Sequence, residues 1–219
     1  MPLPQNLREA RFLACVRQAL HAGGDFYDVI PSGNRVTDYV VADASGHDLG
    51  VSLWTASFKT LLAEYASILH VPLDICRMIN SSLRRVLPED AYFTTIYARL
   101  NRASHKLVLV NAGHPSVVLV SSQDRSACIL RQEGDVMGIF PDAVFGLLEV
   151  TVLPGDRLFL YSDGLVEMGD SREEGLGILT DNCRFTSDLP LRDAVDSIVK
   201  SMRNGAEPED DILLLGVDV

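Results

Sequence analysis

Residues 25–50 read DFYDVIPSGNRVTDYVVADASGHDLG, and this stretch decides how the rest of the chain is interpreted. Two runs rich in β-branched and aromatic residues flank PSGN, whose residue types are typical of a turn. The stretch therefore predicts a β-hairpin with strands over 25–30 and 35–43. The hairpin begins and ends on acids, Asp25 and Asp43, and small residues follow the second. Such an end is either an ordinary turn or a site where backbone approaches a ligand closely.

Outward from the hairpin, helices and strands are predicted in separate runs. The first twenty residues are expected to be a partly helical lead-in, a long apolar helix covers 49–69, and Pro72 opens a second helix. Strands are then predicted over 91–100, 106–113, 116–122, 127–132, 147–153 and 157–163. A last helix over 191–202 leads to a last strand over 211–219. This order predicts an α+β fold with two packed antiparallel sheets and helices on their outer faces.

Composition limits the classes of partner. The chain has 219 residues and a formal net charge of -11, which argues against nucleic acid or an anionic membrane as the main partner. No apolar run approaches the roughly 20 residues of a membrane helix. The four cysteines include no CxxC pair, and we expect reduced thiols in a cytoplasmic protein.

Acidic residues recur where predicted strands begin or end. They are Asp25, Asp43, Asp163, Asp210 and Asp211. Each lies beside a glycine or a polar turn, and acids from distant parts of a chain can converge at one rim of a sheet sandwich. Mg²⁺ and Mn²⁺ prefer such oxygen ligands. A single acid at a turn is more often ordinary turn chemistry, so only the combination indicates a metal site.

Five short blocks carry a family resemblance. In chain order they are GGDFYD at 23–28, ADASGH at 42–47, NAGHP at 111–115, YSDGLVE at 161–167 and DDILLL at 210–215. In this order, and in matching strand and helix contexts, they resemble the signature blocks of the PPM-type, or 2C-type, metal-dependent serine/threonine protein phosphatases. The greatest similarity is to the bacterial SpoIIE-like branch, and it runs from about Gly23 to Val219.

The resemblance implies a four-layer αββα sandwich with two divalent cations, Mn²⁺ or Mg²⁺, at one edge. By position, Asp43 would bind both cations. The backbone carbonyl of Ala44 would be a further ligand. Asp25 would serve one cation, directly or through water.

The same resemblance implies that Asp163 and one acid of the final pair hold the other cation. Asp210 is the first choice, and Asp211 is nearly as plausible. Asp43 and Asp163 would then act in catalysis through a metal-bound water, because two such cations lower the pKa of a shared water enough to form hydroxide near neutral pH. His47, four residues after Asp43, is a candidate general acid, although capping or packing beside the next helix is the favoured role.

Some positions depart from the family pattern. Asp48 stands where members of the branch usually have glycine, and either adds negative charge near the metals or caps the following helix. Eukaryotic relatives grip the phosphate with an arginine shortly before the first metal acid, but RQALHAGGD, residues 17–25, has none at that spacing. Arg17 is a distant candidate, so we expect the metals alone to hold the phosphate. His114 is expected to shape a turn near the site and not to bind metal.

The expected activity is that of a metal-dependent protein serine/threonine phosphatase. By resemblance, its substrate would be a phosphorylated regulatory protein, for example an anti-anti-sigma factor of the STAS type. Two alternatives stay open: a pseudophosphatase that binds a partner without catalysis, and a two-metal phosphodiesterase or nuclease, against which the acidic charge argues. The resemblance is compatible with one catalytic domain over 1–219, including the lead-in at 1–20, cut from a longer regulatory protein.

Overall fold

The computed structural model describes residues 11–17, 24–46, 49–167, 171–203 and 210–219. Within them, the strands are β1 (Phe12–Arg17), β2 (Phe26–Gly33), β3 (Val36–Ala44), β4 (Phe93–Asn101), β5 (Lys106–Ala112), β6 (Val117–Val120), β7 (Ala127–Leu130), β8 (Gly146–Thr151), β9 (Arg157–Tyr161) and β10 (Ile212–Asp218). The helices are α1 (Leu49–Tyr65), α2 (Pro72–Leu83), α3 (Arg172–Phe185) and α4 (Leu191–Arg203), and a 3-10 turn covers Asp163–Leu165.

The strands form two five-stranded sheets in which every pair of neighbours is antiparallel. Sheet A has the order β1-β10-β9-β6-β7, and sheet B has the order β2-β3-β4-β5-β8. The predicted hairpin is present as β2 and β3, with Phe26 opposite Ala42. Strand β2 extends through the predicted turn to Gly33, and the chain reverses at Asn34 and Arg35. The hairpin therefore places residue 25 beside the end of β3.

Three hydrophobic clusters separate four layers. One cluster lies between the sheets and joins residues such as Ile96 of β4 and Leu215 of β10. A second packs α1 and α2 on sheet B through Phe58 and Ile79, and a third packs α3 and α4 on sheet A through residues such as Leu179. The predicted α+β sandwich with helices on both outer faces is confirmed. No described helix is long and apolar enough to cross a membrane.

The expectation of a partly helical lead-in is wrong for the part that the structure describes. Residues Phe12–Arg17 form β1, which pairs along its whole length with Ile212–Val217 of β10. Because the partner strand lies at the other end of the chain, no local pattern in this segment indicates the pairing. Residues 1–10 and 18–20 of the lead-in lie outside the described residues.

Helix α3 was not predicted, and α1 ends at Tyr65, earlier than expected. Two glycines in α3 lower its intrinsic helix propensity, which hides it in the sequence. Its start is held by Ser171, whose side chain accepts a hydrogen bond from the backbone nitrogen of Glu174 at 3.2 Å. The helix also packs closely on the preceding turn, since a Cβ at Gly175 would lie 2.0 Å from the carbonyl oxygen of Val166.

Candidate metal centre

The predicted metal-binding acids lie at strand ends in both sheets. In sheet B, Asp25 directly precedes β2, and Asp43 is the penultimate residue of β3. In sheet A, Asp163 follows β9, and Asp210 and Asp211 directly precede β10. Because β2 pairs with β3 and β9 pairs with β10, each antiparallel pair brings its acids to one end of its sheet.

A serine joins these two ends across the sandwich. The hydroxyl of Ser162, which directly follows β9 of sheet A, lies near Asp25 of sheet B and partly offsets the rise in the pKa of that carboxyl. The hydroxyl of Ser162 also accepts a hydrogen bond from the backbone nitrogen of Leu213 at 2.9 Å, which fixes it against β10. The acids of the two sheets therefore converge on one rim, and no sequence pattern indicated that Ser162 lies there.

Glycines at this rim leave room for the acids. A Cβ at Gly24 would lie 2.6 Å from the carbonyl oxygen of Ala44 and 2.6 Å from Oδ1 of Asp43. A Cβ at Gly164 would lie 2.2 Å from the carbonyl oxygen of Asp211. Only residues without a Cβ allow these close approaches, so both glycines belong to the construction of the site.

Two of these acids, Asp25 and Asp43, have a raised pKa. Burial raises the pKa of Asp25 to about 8, and the charges of neighbouring acids add to the rise. Burial likewise raises the pKa of Asp43 to about 7, with further contributions from the acids of sheet A, led by Asp163, and from Glu167. Proximity to a divalent cation would reverse this effect by favouring the ionised carboxylates.

The carboxylate oxygens of these acids are the type of ligand that hard divalent cations prefer. Oδ2 of Asp25 is buried and has no hydrogen-bond partner among the described residues, which is costly for a carboxylate oxygen unless a cation binds it. As they stand, no three His, Cys, Asp or Glu side chains in the described ranges are grouped closely enough to hold an ion. Asp163 is paired with Arg172, and Oδ1 of Asp210 accepts from the backbone nitrogen of Asp211 at 2.7 Å. Cation binding would require these two acids to change partner.

An arginine that the sequence did not single out lies on this rim. Nη2 of Arg172 lies 2.8 Å from Oδ2 of Asp163 and 2.7 Å from Oε1 of Glu167. The 3-10 turn holds the two acids side by side, because the backbone nitrogen of Glu167 donates to the carbonyl oxygen of Asp163 at 3.0 Å. Glu167 belongs to the block YSDGLVE, whereas Arg172 opens a helix that no pattern predicted.

His114 joins the sheets behind the acids. Its Nε2 donates to the carbonyl oxygen of Tyr161 at 3.1 Å, because a carbonyl can only accept. Its Nδ1 then accepts from the hydroxyl of Thr94 at 2.8 Å. Burial lowers the pKa of His114 to about 3, which keeps the ring neutral. With both ring nitrogens engaged, His114 is a structural link and not a metal ligand.

Of three further residues from the sequence interpretation, only Arg17 lies within the described residues. His47 and Asp48 lie outside the described residues. Arg17 ends β1 and lines a surface cavity together with Asp196 and Lys200 of α4. In contrast to Arg17, Arg172 contacts a predicted metal ligand, Asp163.

A family model described as Stage II sporulation protein E (SpoIIE) matches residues 33–219. The chain belongs to the SpoIIE family. This SpoIIE-family chain is 25% identical over 205 residues to "Phosphoserine phosphatase RsbP" of Bacillus subtilis (strain 168). That match covers 90% of the chain and 49% of RsbP, so the chain spans about half the length of this relative. The predicted relationship to the SpoIIE-like branch is confirmed.

Solved structures share the fold of this SpoIIE-family chain. The structure of the RsbU and RsbW domains of Rv1364c from Mycobacterium tuberculosis matches with a TM-score of 0.83 at 20% identity, covering 95% of this chain and 60% of that one. RsbX in complex with magnesium matches with a TM-score of 0.70 at 16% identity, covering 95% of this chain and 96% of RsbX. A structural relative has thus been crystallised with a divalent cation.

Proposed function

We propose that this SpoIIE-family chain is a metal-dependent protein phosphatase that hydrolyses phosphoserine or phosphothreonine on a regulatory protein. The observation that carries the proposal is the convergence of acids from both sheets on one rim, where a buried oxygen of Asp25 has no partner among the described residues. Family membership and the similarity to RsbP support phosphoserine as the substrate. A STAS-type anti-anti-sigma factor in the cytoplasm fits this class of regulator.

In this proposal, the acids of the rim hold two divalent cations, Mn²⁺ or Mg²⁺. Asp43 would bind both, Asp25 and the carbonyl oxygen of Ala44 would complete one site, and Asp163 with Asp210 would complete the other. Bound there, the cations would activate a water for in-line attack on phosphorus and offset the charge on the phosphoryl oxygens.

The protonation of the acids and the contacts around them both affect cation binding. The elevated pKa values of Asp25 and Asp43 mean that both carboxyl groups are partly protonated near neutral pH in the metal-free protein. Cation uptake would therefore release protons from them. His114 links Thr94, beside the end of β3, to Tyr161 at the end of β9, so that the acids of the two sheets need only local side-chain movements to bind a cation.

The test is phosphate release from a phosphoserine protein with and without Mn²⁺, for the wild type and Asp163→Asn. We expect the substitution to lower activity roughly 100-fold or more, because it removes a cation ligand. Asp181→Asn is the matched control, since Asp181 lies exposed on α3 in an ion pair with Arg184. An Asp163→Asn variant as active as the wild type would show that the metal-site assignment is wrong.

The pseudophosphatase remains the second candidate, and one observation favours it. Arg172 already neutralises Asp163, as expected of a rim that does not bind cations. Calorimetric titration with Mn²⁺ separates the two candidates. A phosphatase binds Mn²⁺ and releases phosphate, whereas absence of binding at millimolar Mn²⁺ would identify a partner-binding module.

A further inference from the structure

We propose that Arg172 binds the phosphate group of the substrate, and that Glu167 positions it for this role. The inference rests on the proposed function of the same site. It replaces the expectation that the cations alone hold the phosphate, which came from the absence of an arginine at the usual spacing before Asp25.

The position of Arg172 is fixed by the start of α3. Arg172 is the first residue of the helix, and the side chain of Ser171 caps that helix. One turn further, the backbone of Gly175 is pressed against the carbonyl oxygen of Val166, at the end of the 3-10 turn that begins with Asp163. The side chain of the arginine therefore leaves the first turn of a capped helix directly beside a proposed cation ligand.

The orientation of the guanidinium leaves donors for a phosphate. Within the described part of the chain, both of its hydrogen bonds use Nη2, one to Asp163 and one to Glu167. Nη1 and Nε have no hydrogen-bond partner among those residues, and the side chain is 60% exposed. A planar guanidinium matches two phosphate oxygens at once, which a lysine ammonium does not. A phosphate that reaches a cation on Asp163 would meet these donors.

Arg172 can leave its ion pair with Asp163 at little cost to the fold. Because the arginine and both acids are partly exposed, these pairs contribute little to the stability of the fold. The guanidinium can thus give up Asp163 when a cation arrives and keep Glu167, at small energetic cost. It then neutralises Glu167, whose charge would otherwise repel the incoming phosphate.

Direct binding of inorganic phosphate tests the proposal without relying on turnover. The full chain is loaded with Mg²⁺ and titrated with phosphate by calorimetry, for the wild type, Arg172→Ala and Arg172→Lys. The control is Arg184→Ala, which removes an exposed, ion-paired arginine from the other end of α3. Mn²⁺ affinity and Tm are measured for each variant in parallel.

We expect Arg172→Ala to weaken phosphate binding roughly 10- to 100-fold, because charge-assisted hydrogen bonds are lost. Arg172→Lys should recover part of the affinity, and Arg184→Ala should bind like the wild type. With a phosphoserine protein, Arg172→Ala should raise KM more than it lowers kcat.

Two results would overturn the proposal. One is an Arg172→Ala variant that binds phosphate as tightly as the wild type. If that variant also bound Mn²⁺ more tightly, Arg172 would act only as a substitute for the cation on Asp163. The other is a wild type that binds no phosphate. Failure of the proposed function is distinguishable, because a wild type that binds phosphate through Arg172 but releases none from phosphoserine protein would contradict the phosphatase assignment alone.

Discussion

Gly24 and Asp43 are in such close contact that a Cβ on Gly24 would lie 2.6 Å from Oδ1 of the aspartate. The same Cβ would lie equally close to the carbonyl oxygen of Ala44. The segment before β2 is therefore pressed against the end of β3, where two of the proposed cation ligands lie. Any side chain at position 24 would push these oxygens away from the rim.

Gly24→Ala should accordingly disturb both the site and the fold. We expect Mn²⁺ binding at least about 10-fold weaker, and a free energy of unfolding lower by about 1–3 kcal/mol because of overpacking. Calorimetry and chemical denaturation measure the two effects. In the control Gly177→Ala the new Cβ meets nothing within 4 Å, so stability should rise by up to about 1 kcal/mol with Mn²⁺ binding unchanged. Unaltered Mn²⁺ affinity in Gly24→Ala would contradict the ligand roles of Asp43 and Ala44.

The metal-free protein should lose stability as the pH rises from 6.5 to 8. Burial raises the pKa of Asp25 to about 8 and that of Asp43 to about 7, from an ordinary value of 3.8. The folded state therefore binds more protons than the unfolded chain, and the resulting stabilisation is lost as the pH passes through the folded pKa values. Thermal unfolding in the presence of a chelator measures this loss as a falling Tm.

Between pH 6.5 and 8, His114 does not contribute to this change in stability. Its folded pKa is lowered by burial from 6.5 to about 3, so it destabilises the fold only as the pH falls below 6.5, where the unfolded chain takes up a proton. Asp25→Asn should flatten the slope between pH 6.5 and 8, and saturating Mn²⁺ should remove it in the wild type. Equal slopes for Asp25→Asn and the wild type would show that the carboxyl of Asp25 is not the group that titrates.

Local patterns explain why much of the fold could be predicted. The hairpin is recognisable because its two apolar runs enclose a turn, and α4 because its buried residues, such as Val195 and Ile198, recur at helical spacing. Strand β1 could not be recognised, since its structure depends on β10 at the other end of the chain. Helix α3 depends on the cap at Ser171 and on tertiary packing of Gly175, and neither raises helix propensity.

The candidate site, like the fold, could be predicted only in part from the sequence. Its acids could be located because they stand at strand ends beside glycines or polar turns, while their ligand roles came from family resemblance. Ser162, Glu167 and Arg172 act through contacts that depend on the folded position of β9 and on the start of α3. The sequence alone did not indicate Arg172, because its contact with Asp163 depends on where α3 begins.

Removing one partner of a buried ion pair in sheet B should lower the stability of the fold without affecting the site. Arg99 lies 2.6 Å from Oδ1 of the fully buried Asp38, which also accepts a hydrogen bond from Tyr97. The same guanidinium donates to the carbonyl oxygens of Ser67 and His70, between α1 and α2. Asp38→Asn leaves this buried charge uncompensated, so we expect the free energy of unfolding to fall by about 3–5 kcal/mol.

Two further variants complete this experiment. Tyr97→Phe removes the hydrogen bond that the hydroxyl donates to Asp38 and a long one of 3.5 Å that it accepts from Arg99, and should cost about 1–2 kcal/mol. Asp74→Asn breaks an exposed pair with Arg77 and should change stability by less than about 1 kcal/mol. Chemical denaturation ranks the three. Mn²⁺ affinity of the folded variants should match the wild type, since Asp38 lies about 17 Å along β3 from Asp43. A cost for Asp38→Asn as small as that for Asp74→Asn would contradict the role of this pair.

The choice between Asp210 and Asp211 as cation ligand can be decided by comparing their asparagine variants. Asp211 is buried, whereas Asp210 is exposed and contributes more than Asp211 to the raised pKa of Asp43. Asp210 is therefore the acid whose charge acts more strongly where both cations are proposed to meet. Asp210→Asn should weaken Mn²⁺ binding at least about 10-fold and change the free energy of unfolding by no more than about 0.5 kcal/mol.

Asp211→Asn should show the opposite balance. Asp211 is buried and directly precedes β10, and a Cβ at Gly164 would lie 2.2 Å from its backbone carbonyl oxygen, so the surroundings cannot easily adjust to a new hydrogen-bonding pattern. We expect a loss of about 1–3 kcal/mol in the free energy of unfolding and a smaller effect on Mn²⁺ binding than that of Asp210→Asn. Calorimetry on both variants, with chemical denaturation alongside, measures the two quantities. The reverse order of Mn²⁺ affinities would assign the ligand to Asp211 instead.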